Sequence, residues 1–329
     1  MQDKDKWGES SSEELDRLDS SRSWDLVDAL AKGALLEQRS SRRWGIFFKL
    51  LTFGWLFFFV VVLYDAININ GVVISGGGEH TALVELDGRI GGGDVDADTV
   101  MSGLRSAFED PGTKAVILRI NSPGGSPVQS GYIYDEIRRL RDLHKDIPIY
   151  AVIEDVGASG GYYIAAAADE IYADKASLVG SIGVISSGFG FVEAMKKLGV
   201  TRRIYTSGEK KAFLDPFQSV DHKAAAQWQT ALDTIHQQFI DAVKNGRGDR
   251  LVDRPDIFSG MVWSGEQAKE LGLIDGLGSA GYVAREVVGK EDIVDYTLRP
   301  SLLEKFARDF GAGVSATLVE AIGDGFQLM

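Results

Sequence analysis

The sequence predicts an α/β fold built on a parallel sheet, carried behind one N-terminal transmembrane helix. Three observations lead there: a long uncharged apolar run near the N-terminus, strands alternating with helical segments from Thr81 onward, and two successive strand–glycine–helix turns, at Gly124 and Ser159. Strand–helix alternation builds parallel sheets with right-handed crossovers. Both turns then open at the carboxyl edge of the sheet, where open α/β folds bind ligands.

Composition narrows the possibilities. The chain has 329 residues, room for more than one domain, with 44% hydrophobic and 25% charged residues, as in folded proteins. A net charge of -13 argues against a nucleic-acid-binding surface. There is no cysteine, which excludes disulfides, thiolate catalysis and cysteine-ligated metals. The four histidines, His80, His144, His222 and His236, show no ligand spacing, so neither a metal nor a cofactor is expected.

Residues 1–38 are polar and acidic and read as a partly disordered extension, with apolar residues at helical spacing from Trp24 to Leu36. Residues 44–64 read as the transmembrane helix. No charge lies between Leu50 and Tyr64, and Trp44 and Tyr64 mark the two ends, where amphipathic aromatics anchor. Arg39, Arg42, Arg43 and Lys49 all lie toward its N-terminal side, which predicts a cytoplasmic N-terminus and an extracytoplasmic remainder. Residues 65–79, with Gly76-Gly77-Gly78, form a linker; 80–299 form the soluble domain; 300–329 form a tail or an assembly helix.

Within the domain, Ala82–Leu86 is a strand, and Ala97–Phe108 is a helix with Val100, Leu104 and Phe108 on one face. Lys114–Ile120 is a buried strand running into Asn121-Ser122-Pro123-Gly124-Gly125. Ser126 with Gln129 makes a capping box, and Pro127 opens the next helix. The apolar run Pro148–Ile153 leads into a glycine turn at Gly157–Gly161 and an alanine-rich helical stretch reaching Ala168. Further strands are expected at Glu170–Ala173, Gly180–Ile185 and Arg203–Thr206. A long helix is expected over Asp221–Lys244, and a short one after Ser264, which caps it with Gln267 reciprocating, ended by Gly272.

Ser159 sits where a strand becomes a helix. Free N–H groups and the helix dipole favour negative charge there, and the Gly160 N–H would point toward an oxyanion. The plainer alternative is a glycine-rich turn with a serine N-cap. Gly157-Ala158-Ser159-Gly160-Gly161 satisfies the G-x-S-x-G nucleophile elbow. That arrangement needs a downstream histidine, yet none lies between Ser159 and His222, and His222 and His236 read as surface residues of the long helix. A lysine is the remaining base. Only its neutral amine takes a proton, so an apolar setting must lower it from its ordinary value near ~10.4. Lysines in the glycine-led loop flanked by Ala212-Phe213-Leu214 suit that requirement.

Four segments occur in order: Asn121-Ser122-Pro123-Gly124-Gly125, Ala158-Ser159-Gly160-Gly161-Tyr162-Tyr163, Gly180-Ser181-Ile182-Gly183-Val184 and Ser207-Gly208-Glu209-Lys210-Lys211. With Trp263–Asp275, this set closely resembles the signal peptide peptidase A family of membrane-anchored serine–lysine proteases, and the wider Clp-peptidase and crotonase fold. The resemblance spans roughly Ala82–Asp275. It implies Ser159 as nucleophile, Lys211 rather than Lys210 as general base, Ser181 as the residue orienting the lysine, and Gly124, Gly125 and Gly160 as the oxyanion hole. It also implies a homo-oligomeric ring in the bacterial inner membrane, with the serine and lysine of one site on neighbouring subunits, cutting signal peptides left in the lipid membrane. Competing expectations are a quality-control protease of the same mechanism, a crotonase-like acyl-CoA binder and a non-catalytic membrane scaffold.

Overall fold

A computed structural model describes residues 44–61 and 78–299. The expected acidic extension, most of the linker and the C-terminal tail lie outside the described residues. Two compact units are distinguished, Met1–Asn70 with Ser301–Met329, and Gly71–Pro300. In the first, helix α1 spans Trp44–Val61, has a mean hydropathy of 1.9 and buries none of its surface within the protein. It is long and apolar enough to cross a membrane.

The second unit begins with β1 (His80–Asp87), α2 (Ala97–Glu109), β2 (Thr113–Ser122), α3 (Pro127–Leu143), β3 (Ile149–Ala158) and α4 (Gly160–Ala165). These three strands pair in parallel in the order β3-β2-β1. Asp96 caps α2 through the Asp98 and Thr99 amides, and Ser126 caps α3, where Pro127 takes the first turn. The far edge of β3 is shared. Its first half pairs with β4 (Glu170–Ala173), and its second half pairs with β5 (Leu178–Gly180). Helices α5 (Val192–Leu198) and α6 (His222–Arg247) follow, then β6 (Val262–Ser264), α7 (Gly265–Glu270), β7 (Gly276–Leu277), α8 (Ala280–Tyr282), a π-helical turn Val283–Val288, and β8 (Ile293–Asp295) beside β1. Among the described residues only the β5–β6 pairing is antiparallel.

The strands are apolar on both faces, as sheets covered on both sides require. Ala82, Val84, Leu86, Val116, Leu118, Ile120, Ala151 and Ile153 face one core with Leu104, Ile133, Ile137, Tyr162 and Val243. The alternate positions Leu83, Ile117 and Val152 pack against Val283 and Ala284. Beyond that second layer the same face becomes charged: Glu85 accepts from Arg119 on the neighbouring strand at 2.5 Å.

Four expectations are corrected. The strand expected over Gly180–Ile185 stops at Gly180, and Arg203–Thr206 is irregular, with Tyr205 fully turned to solvent. A strand needs a partner ladder, and among the described residues the stretches 181–185 and 203–206 find none. The alanine-rich helix ends early, α4 covering only six residues. His236 is half-buried rather than on the surface, its Nε2 lying 3.2 Å from the Ile182 carbonyl oxygen.

The end of α6 is fastened to the sheet by an ion pair. Arg247 is 1% exposed and holds Asp275 in two hydrogen bonds of 2.7 and 3.0 Å, while its Nε donates to Gly272 O. Burial alone would raise the Asp275 carboxyl, but Arg247 and the Ile171 N–H outweigh it and hold it below the usual carboxylate range. A depressed carboxylate stabilises the fold above its unfolded value near ~3.9 and loses that contribution as pH falls through the folded value. Replacing Arg247 by Met leaves Asp275 with Arg250 at 3.1 Å and the Ile171 N–H at 2.7 Å. This is expected to cost about 3 kcal/mol in urea unfolding at pH 7 and to flatten the loss of stability below about pH 4.

Candidate active site

β3 rises to the carboxyl edge of the sheet and turns at Ser159 into α4. Ser159 has φ 51° and ψ −122°, outside the comfortable regions for an L-residue. The turn is fixed on both sides: Ser159 N donates to Gly180 O at 2.8 Å, and Tyr163 N donates to Ser159 O at 2.9 Å. The serine side chain does not cap the helix, so the N-cap alternative is not what is found. Among the described residues its hydroxyl makes no hydrogen bond. Among the described residues the other non-glycine residue with positive φ is Ser181, at 52°, one residue past β5, its amide donating to Met261 O at 2.8 Å. Two strained serines on adjacent strand ends mark this edge, since such conformations persist where the surroundings enforce them.

The second glycine turn, between β2 and α3, lies directly against the first. A Cβ on Gly124 would stand 2.7 Å from both the Gly160 nitrogen and the Ser159 Cβ. One on Gly125 would overlap the Ile90 carbonyl oxygen, and one on Gly160 would overlap Ser130 Oγ. Gly124 and Gly125 have φ of 98° and 154°, and glycine alone adopts the first without strain. Among the described residues neither the Gly125 nor the Gly160 N–H makes a hydrogen bond. The Gly124 N–H, by contrast, donates to Ser122 Oγ at 3.2 Å, so that member of the expected trio is already committed. With α4 under two turns long, the individual amides rather than a macrodipole would carry any charge stabilisation here.

Beside Ser159 opens a cavity of about 50 Å³ lined by Tyr163, Val184, Ile235 and Phe239, with Gly125 and Gly160 at its polar side. It is small and mainly apolar. Lys211 is not among its lining residues; it lies on an exposed turn, its amide donating to Gly208 O. The structure therefore brings Ser159, Gly124, Gly125 and Gly160 together, with Ser181 on the neighbouring strand end. Lys211 stands apart from them.

The adjacent lysines differ. Lys210 Nζ is held by Asp221 at 2.6 Å and Glu209 at 3.0 Å, and these carboxylates raise its pKa, with Asp221 first. That favours the charged, non-basic form. Lys211 makes no ion pair among the described residues. Sequence reasoning missed Ser122 and Ile90, which brace the glycine turn; Ser122 lies within the quoted Asn-Ser-Pro-Gly-Gly segment, but its partner Gly88 is visible only once β1 and β2 are paired. Among the described residues no group of side chains could hold a metal ion.

Residues 141–293 match peptidase family S49. The chain is 44% identical over 223 residues, 68% of its length, to a Brucella abortus protein named "Na(+)/H(+) antiporter NhaA", of which the match spans only 29%. It is 30% identical over 232 residues (70% of this chain, 64% of the relative) to an Enterococcus faecium protein named "Putative signal peptide peptidase SppA". Against the Synechocystis protein named "Putative protease slr0021" it is 33% identical over 198 residues, 60% of this chain and 69% of the relative. The chain thus spans less than a third of the Brucella relative and about two thirds of the others.

Replacing Gly125 by Ala forces the bare turn apart at the Ile90 carbonyl. The rate at which a fluorophosphonate labels Ser159 is expected to fall about 100-fold or more, read from labelling time courses of the full chain.

Proposed function

The chain belongs to peptidase family S49, and from that premise we propose that it is a membrane-anchored serine endopeptidase acting through Ser159 and Lys211. The observation that carries this reading is the convergence at Ser159: a strained serine lines one cavity with Gly125 and Gly160, and its hydroxyl and their two amides are uncommitted among the described residues. Ser159 attacks the scissile carbonyl, and the amides of Gly125 and Gly160 receive the oxyanion. The neutral Lys211 amine takes the serine proton and returns it to the leaving amine. Water then attacks the acyl-enzyme by the same route in reverse, freeing the acid product and Ser159. Ser181 orients the lysine. Gly124 lends the bare backbone that lets the turns meet, rather than a donor.

Lys211 reaches Ser159 from a neighbouring copy in this reading. Support comes from the segment that carries it: Ile185, Phe189, Leu198, Tyr205 and Leu214 are all strongly exposed. Apolar surface of that extent on one segment marks an association face. Packing that face against a second subunit would also place the lysine in apolar surroundings. Helix α1 anchors the chain, with its N-terminus on the cytoplasmic side and the catalytic unit outside. The small apolar cavity beside Ser159 suits small aliphatic side chains, as found in signal peptides and membrane segments.

The full chain in detergent should label at Ser159 with a fluorophosphonate and cleave apolar peptides. Ser159→Ala and Lys211→Ala should each lose at least ~1,000-fold in kcat/KM, and Lys210→Ala should stay within threefold. Retained activity in both of the first two variants would remove the dyad. Mixing and reassembling the two inactive variants should restore activity, because a subunit lacking Ser159 still offers Lys211 to a neighbour. Absence of restoration in reassembled mixtures places the dyad within one chain.

A further inference from the structure

Two consecutive glycines form the Gly124–Gly125 turn, and glycine does not hold its own conformation. A peptide plane between them is free to rotate unless neighbours fix it, and rotation would turn the Gly125 N–H away from Ser159. One hydrogen bond holds it directly, and two more hold the peptide planes on either side. Ile90 N donates to Gly124 O at 3.0 Å, Ser126 N donates to Ile90 O at 2.9 Å, and Gly124 N donates to Ser122 Oγ at 3.2 Å. The first sets the direction. In a trans peptide the carbonyl and the following N–H point opposite ways, so a Gly124 C=O aimed at Ile90 sends the Gly125 N–H toward the other side. Gly160 lies close on the glycine turn, with the Gly125 nitrogen 3.3 Å from where a Gly160 Cβ would stand.

Ser122 is the one side chain in this brace. It is fully buried, and its hydroxyl gives its single proton to Gly88 O at 2.6 Å while accepting the Gly124 N–H. That uses the proton and a lone pair of the hydroxyl. Gly88 follows the last residue of β1 and lies two residues before Ile90, so one hydroxyl ties together the two backbone stretches whose separation decides the Gly124–Ile90 bond. We propose that Ser122 is a positioning residue that aims the Gly125 N–H at the oxyanion by bridging Gly88 and Gly124. It touches no reacting atom. The proposal rests on the peptidase reading of Ser159.

The test uses the full chain in detergent with Ser122→Ala, an apolar peptide substrate, and a peptide aldehyde whose hemiacetal oxygen occupies the same hole. Ground-state binding does not use the oxyanion donor, so kcat should fall between about 10- and 1,000-fold while KM stays within threefold, and aldehyde affinity should fall with kcat. Ser122→Cys, of similar size with a weak donor and acceptor, should fall between the two, and it carries the test if the alanine variant does not fold. A kcat within twofold of wild type, or a loss confined to KM, overturns the positioning role while leaving the peptidase intact. A wild-type chain that neither labels at Ser159 nor cleaves peptide overturns the peptidase reading, and this proposal with it.

Discussion

The approach of two bare backbone turns is the constraint on which the candidate site depends. A side-chain carbon on Gly124 would sit 2.7 Å from the Gly160 nitrogen, closer than any real Cβ contact allows. Parallel pairing of β2 with β3 brings both strand ends to one edge, with Ser122 in register with Gly157. The missing side chains then let two amides converge beside one hydroxyl. The cores on both sides of the sheet hold the strands in that register, so the packing of Ile117 and Val152 against Val283 is felt at the edge.

Electrostatics separate two residues that differ by one position. Lys210 is bound to Asp221, the residue that also caps α6 through the Lys223 and Ala224 amides. The carboxylate thus serves the helix and neutralises the nearer lysine in the same geometry. Lys211 has no such partner among the described residues, and its turn lies on a segment rich in exposed apolar side chains. In the proposed mechanism the base must lose its charge to act, and such a group is better left without a carboxylate than supplied with one.

Much of the fold was legible because its cause is local. Continuous apolar runs announced β1, β2 and β3, and the caps at Ser126 and Ser264 placed the starts of α3 and α7. Legibility failed where the cause is distant. Arg203–Thr206 has the composition of a strand but no ladder to join among the described residues. His236 looked like a helix-surface residue because its tie to Ile182 crosses fifty-four positions of sequence. The glycines of the candidate site could be named from the pattern. That Gly124 has spent its amide on Ser122 depends on a hydroxyl whose orientation is set by β1, which no spacing reveals.

The two serines with positive φ have a consequence for how the protein trades durability against chemistry. Each backbone conformation costs an L-residue about 1–3 kcal/mol, and glycine would adopt it freely. At Ser159 and Ser181 the most stable residue is therefore the one that removes the hydroxyl. Selection for heat resistance alone would drift toward glycine at both positions and, under the proposed mechanism, produce a sturdier, inert protein. The rest of the fold must be firm enough to hold these two backbones where they would not stay by themselves.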